Sequence, residues 1–160
     1  MYNVQNESAP AGRPITILMA DDDEDDRDLT RDALQNAEYV EQMEFVSDGQ
    51  DLIDYLRGDG PYAGPDAPGG RPEPSIILLD LNMPRKDGRE ALAEIKADRE
   101  LRHIPVVVLT TSSDEVDVRS AYDLGANSYI TKPVTGSKLE TTLDRLAEYW
   151  SQVVTLPRAA

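Results

Sequence analysis

Five short apolar segments, each followed by a stretch whose apolar residues recur at helical spacing, constrain this chain more than any other feature. The apolar segments span 15–20, 43–46, 75–80, 105–110 and 127–131. Each is too short for a buried helix and reads as a buried strand. Between them, Leu29, Ala33, Leu34 and Ala37 mark a helical stripe over 24–37. Leu52, Ile53 and Leu56 mark a second, which starts at Asp48. Ala91, Leu92 and Ile95 mark a third over 87–97, and a fourth over 114–124 ends at Gly125, a suitable C-cap. Leu139, Leu143 and Leu146 mark the last, over 135–152. Strands that alternate with helices, and are apolar on both faces, make a parallel α/β sheet covered on both sides. Right-handed crossovers then narrow the architecture to a doubly wound sheet.

The boundaries follow from composition. Residues 1–14 are polar, with Pro10, Gly12 and Pro14, and read as a flexible lead-in. Between Gly58 and Pro74 lie five Gly and five Pro, which continue neither a helix nor a strand, so 58–74 reads as one long surface loop. The domain is expected over 15–152, with a tail at 153–160. There is no Cys, which excludes disulfides and thiolate metal sites. No apolar run reaches the roughly 20 residues that span a bilayer, and 1–14 has no signal-peptide core, so a cytoplasmic protein is expected. The chain has 31 acidic and 16 basic residues, a formal net charge of -15. That charge repels phosphate backbones and anionic membranes, so neither nucleic acid nor membrane is an expected partner. It also disperses any soluble protein, so charge alone names no function.

In doubly wound sheets ligands bind at the carboxyl ends of the strands. Here the first strand ends in Asp21-Asp22, the third in Asp80 and the fourth in Thr110, while Lys132-Pro133 follows the fifth. Three carboxylates converging at one edge repel one another and favour a cation. Mg²⁺ suits an open site of carboxylates, waters and a phosphoryl oxygen. Lys132 can meet an anion at the same place, and Thr110 can donate a hydrogen bond to it. A carboxylate, a divalent ion and an ammonium together describe acyl-phosphate chemistry, in which Asp is the covalent nucleophile.

The stretch Ile17-Leu18-Met19-Ala20-Asp21-Asp22 and the phrase Leu79-Asp80-Leu81-Asn82-Met83-Pro84 with Asp87-Gly88 resemble the receiver domains of two-component response regulators. So do Leu109-Thr110-Thr111 and Tyr129-Ile130-Thr131-Lys132-Pro133. The resemblance implies a flavodoxin-like sheet in the order 2-1-3-4-5. It implies that Asp80 accepts a phosphoryl group from a histidine kinase. Asp21, Asp22, Asp80 and the Asn82 backbone carbonyl would hold Mg²⁺, and Lys132 would contact the phosphoryl group. Thr110 and Tyr129 would be the switch that reshapes the face formed by the fourth helix, fifth strand and fifth helix. The output would be protein contact or phosphorelay, with no catalysis beyond the domain's own phosphorylation and dephosphorylation. The long loop, the phrase Leu109-Thr110-Thr111-Ser112-Ser113 and the tail Tyr149 to Pro157 are similar to single-domain regulators of bacterial and cyanobacterial phytochrome kinases, whose members form homodimers.

Plainer readings stand beside these. The acidic run Asp21 to Asp26 exceeds the usual acidic pair, and Asp23, Asp25 and Asp26 read as an ordinary acidic first helical turn. A calcium loop is excluded, because Asp26 takes the place of the sixth-position Gly and no Glu closes the twelfth. Asp80 as a simple turn cap and Tyr129 as packing are the bland alternatives, and the bond before Pro133 is a candidate cis bond. His103, the only histidine, reads as a surface residue. Trp150, Val153, Val154 and Leu156 either fold back or meet a partner. A Mg²⁺-dependent phosphatase with an Asp nucleophile is the rival class, but such enzymes resemble a pattern with a second acid two residues on, where this chain has Asn82. A non-phosphorylated scaffold is the third, and it gives no reason to gather repelling carboxylates.

Overall fold

Side-chain alternation along the strands decides how the layers form, because successive residues point to opposite faces of a sheet. The structure is a computed structural model that describes residues 12–64 and 73–157. Its strands are β1 (Ile15–Ala20), β2 (Val40–Val46), β3 (Ile76–Leu79), β4 (Val106–Thr110) and β5 (Ser128–Thr131). They pair in parallel in the order β2-β1-β3-β4-β5, as expected. Its helices are α1 (Glu24–Leu34), α2 (Gly49–Arg57), α3 (Gly88–Ala97), α4 (Glu115–Asp123) and α5 (Gly136–Glu148).

Ile15, Ile17, Met19, Ile76, Leu78, Val107 and Leu109 face one side, where Leu34 of α1 and Leu139, Leu143 and Leu146 of α5 cover them. The intervening Leu18, Ala20, Ile77, Leu79, Val106 and Val108 face the other, beneath Leu52 and Ile53 of α2, Ala91, Leu92 and Ile95 of α3, and Ala121 of α4. The central strands β1, β3 and β4 are buried along their whole length. Their register brings Ala20, Leu79 and Val108 level, so the residues just beyond them emerge at one edge.

Several boundaries differ from the sequence reading. Helix α1 stops at Leu34, and Ala37 belongs to the turn that delivers β2. Strand β2 begins at Val40, three residues early, because an edge strand tolerates exposed Glu41 and Gln42. Helix α5 ends at Glu148, and Tyr149–Val153 continues as a π-helical turn closed by the Val154 N–H on Tyr149 O, 3.1 Å. The tail divides between its two readings. Trp150 and Leu156 pack on the α1/α5 side of the core, while Tyr149 and Val153 stay 50% and 69% exposed. The loop after α2 opens with a 3-10 turn, Gly60–Tyr62, whose Tyr62 ring meets Tyr55 edge-on and whose hydroxyl donates to Asp51 Oδ1. Residues 1–11, 65–72 and 158–160, parts of the expected lead, loop and tail, lie outside the described residues. Every peptide bond described is trans, including the one before Pro133. Gly125 has φ 108, the left-handed conformation a helix terminator needs. No helix among the described residues is long and apolar enough to cross a membrane.

Candidate functional site

The carboxyl edge of the sheet gathers the expected residues. Asp21 leaves the end of β1 buried, and its Oδ1 accepts the N–H of Asp23 at 2.9 Å. Asp23 in turn caps α1 by accepting the N–H groups of Asp25 and Asp26. Asp80 leaves β3 and is also buried. Its Oδ1 accepts Thr110 Oγ1–H at 3.0 Å and the Asn82 N–H at 3.1 Å. Carboxylate oxygens of Asp21, Asp22 and Asp80 lie within 4.8 Å of one another, with Asp22 the exposed member. An all-oxygen set of this spacing fits a hard divalent cation.

Lys132 closes the site from the loop after β5. Its Nζ donates to Asp21 Oδ2 at 2.7 Å, Asp26 Oδ2 at 2.7 Å and Asp80 Oδ2 at 3.0 Å. Burial disfavours the ammonium, but the bonds to Asp21 and Asp26 and the charges of Asp21 and Asp80 outweigh it and raise its pKa. Lys132 is therefore a permanent cation here. Burial also pushes the Asp21 carboxyl above its usual range, despite the bonds from Lys132 and the Asp23 N–H, and the nearby Asp80 charge adds to the rise. One ammonium among four acids leaves surplus negative charge, the physical demand a divalent cation satisfies.

The loop between β3 and α3 is pinned beside Asp80. The Gly88 N–H donates to Leu81 O at 2.9 Å, and a Cβ at Gly88 would lie 2.2 Å from the Asp80 carbonyl oxygen. Arg85 adopts φ 63, unusual for a side-chain-bearing residue, and forks onto Asp48, the N-cap of α2, with bonds of 2.8 and 3.1 Å.

Beyond Thr110, the Tyr129 hydroxyl donates to Ser112 O at 2.7 Å. Ser112 Oγ donates to Asp117 Oδ2, which α3 reaches through Arg89 at 2.7 Å to Oδ1. Tyr129 is thus tied to the loop between β4 and α4, and only part of its ring packs on the core.

The sequence reading missed Asp26, Arg85 with Asp48, and Gly88 as a close approach. Asp26 does stand in the acidic first turn of α1, as expected, and it also joins the lysine 106 residues away. Its one sequence signal is the excess of acids after Asp21-Asp22. His103 contacts Glu73 at the amino-terminal edge of the sheet, away from this site, in keeping with a surface role.

A doubly wound sheet whose carboxyl edge gathers Asp21, Asp22, Asp80, Thr110 and Lys132 defines a receiver domain. The chain belongs to the response regulator receiver domain family, whose model matches residues 17–144. Among curated proteins it is similar to the response regulator Rcp1 of Synechocystis sp., at 38% identity over 98% of this chain and all of Rcp1. A probable methanogenesis regulatory protein, FilR2 of Methanothrix harundinacea, is 39% identical over 86% of this chain and 84% of its own length. Among solved structures, the phosphorylated cyanobacterial phytochrome response regulator RcpA matches with TM-score 0.83 and 42% identity, over 91% of this chain and 99% of RcpA. A Mn²⁺-bound form of Rcp1 matches with TM-score 0.81 and 38% identity, over 91% of this chain and all of that one.

Proposed function

We propose that Asp80 of this receiver takes a phosphoryl group from a histidine kinase and that the output is a protein contact. The observation that carries the reading is the double hold on Asp80, with Thr110 and the Asn82 N–H on one oxygen and Lys132 on the other. In the transfer, an Asp80 oxygen forms a bond to phosphorus. The phosphorus–nitrogen bond of the kinase phosphohistidine breaks, and the imidazole nitrogen keeps the electron pair. Lys132 offers its charge to the phosphoryl oxygens as they arrive, and Thr110 is placed to follow with a hydrogen bond.

Asp21, Asp22 and Asp80, with the Asn82 carbonyl, are the residues that would hold Mg²⁺. When bound, that ion supplies charge neutralisation to the carboxylates and to the transferring group. Thr110 and Tyr129 form the switch, because Thr110 touches Asp80 while Tyr129 is bonded to the loop that follows Thr110. The domain is taken as 15–152, in the cytoplasm, with neither nucleic acid nor membrane as a partner. Asn82 has no acid to offer as a proton donor, which disfavours the phosphatase.

The similarity to RcpA, a cyanobacterial phytochrome response regulator, supports a phytochrome-type sensor kinase as the donor. A homodimer is the assembly we propose, on the surface at β5. A surface groove of about 550 Å³ at the open edge of the sheet sets Ile130, Leu146, Tyr149 and Trp150 among the polar Asn127, Ser128, Thr142 and Arg145, and its apolar part supplies contact area.

Incubation with Mg²⁺ and acetyl phosphate, followed by intact mass, tests the central reading. One phosphoryl adduct is expected in the wild type, absent without Mg²⁺ and absent in Asp80→Asn. An adduct that survives in Asp80→Asn overturns the assignment. If the wild type takes no phosphoryl group from either acetyl phosphate or a phosphorylated histidine kinase, the reading fails.

A further inference from the structure

An ammonium carries three N–H donors, and all three of Lys132 are committed to Asp21, Asp26 and Asp80. A phosphoryl oxygen can reach Lys132 only if one of the three carboxylates lets go. They are not equivalent. Asp21 is 1% exposed, has its other oxygen bonded to the Asp23 N–H and belongs to the acid trio. Asp80 is the acceptor itself, 10% exposed and held by Thr110 and the Asn82 N–H. Asp26 is 26% exposed and stands outside the trio. Among the described residues its carboxylate bonds only Lys132, so rotating its side chain into solvent opens no core contact and breaks no second bond.

We infer that Asp26 is a displaceable counter-ion that occupies Lys132 at rest, and that an arriving phosphoryl group takes the ammonium from it. Asp26 then modulates the phosphorylation of Asp80 through Lys132, without touching the reacting atoms itself. This rests on Asp80 being the acceptor. The bond at 2.7 Å must be exchanged before Lys132 can serve the incoming anion, and the Asp26 charge meanwhile screens the ammonium from it. The step served is the attack of an Asp80 oxygen on the phosphorus of acetyl phosphate. An oxygen–phosphorus bond forms, the bond from phosphorus to the acetyl oxygen breaks, and acetate leaves with the electron pair.

The test compares wild type, Asp26→Asn, Asp26→Glu and Asp25→Asn for adduct formation at saturating Mg²⁺, across a range of acetyl phosphate concentrations. Asp25 lies in the same exposed turn and removes the same charge on substitution, but makes no bond to Lys132. Asp26→Asn is expected to label about fivefold faster at low donor, the scale of a partly exposed ion pair. The gain should appear mainly in the donor concentration at half-maximal rate. Asp26→Glu should return to the wild-type rate, and Asp25→Asn should match it. An unchanged or slower Asp26→Asn overturns the inference, the slower result making Asp26 a brace for Lys132. Equal acceleration in Asp25→Asn also overturns it, because the effect is then general charge. If even the wild type forms no adduct, the acceptor reading fails and takes this inference with it.

Discussion

Gly88 shows how one residue can be dictated by its neighbour's backbone. A methyl group there would lie 2.2 Å from the Asp80 carbonyl oxygen and 2.7 Å from the Leu81 Cα, and backbone atoms have no rotamer with which to yield. Gly88→Ala is expected to destabilise the fold by about 1–3 kcal/mol, as forced overpacking does, and to slow labelling of Asp80 by shifting its backbone. Urea unfolding reads the first effect and intact mass the second. A variant as stable as the wild type would mean that the loop between β3 and α3 relaxes freely. Asp80 itself was legible because it ends an apolar run. Nothing local marked Gly88 beyond its place in a familiar phrase.

At the scale of elements, the joint between α2 and the loop ahead of α3 depends on a charge pair. Burial pushes the Asp48 carboxyl up, but the Arg85 fork and the N–H groups of Asp51 and Gln50 outweigh it and hold the carboxyl below its usual range. Its folded pKa is thus lower than its unfolded one. The stabilisation is fully present above the unfolded value, about 3.9, and is lost as pH falls through the folded value. Asp48→Asn keeps a side-chain cap and removes the charge, so it should cost about 1 kcal/mol at pH 7. The gap to wild type in urea unfolding should narrow as pH falls below about 4. A gap constant with pH would assign the effect to the cap alone. A second joint links β5 to α4 and α3 through Tyr129, Ser112, Asp117 and Arg89, and gives the proposed switch a physical route.

For the whole molecule, the open edge at β5 is the surface that the homodimer proposal uses. An edge strand leaves backbone donors and acceptors unpaired, and here it carries Ile130 and lies beside Leu146, Tyr149 and Trp150. Tyr149 is half exposed, so Tyr149→Asp perturbs the surface with little effect on the core. Light scattering should give a dimer mass for the wild type and a monomer mass for Tyr149→Asp. A wild type that stays monomeric with and without phosphorylation would remove the homodimer reading.

Periodicity and strand ends alone determined the alternation of five strands with five helices, the parallel sheet and the residues Asp21, Asp22, Asp80, Thr110 and Lys132. Both signals are local, since burial dictates an apolar run and topology places ligands at its carboxyl end. Tertiary structure decided the rest. Only folding brings Asp26 to Lys132 or Arg85 to Asp48, because a charge carries no mark of which distant charge it will meet. The same holds for the tail, where Trp150 and Leu156 found the core and Tyr149 and Val153 did not. The π-helical turn set that division by rotating the residues after Glu148, and no local pattern announces such a turn.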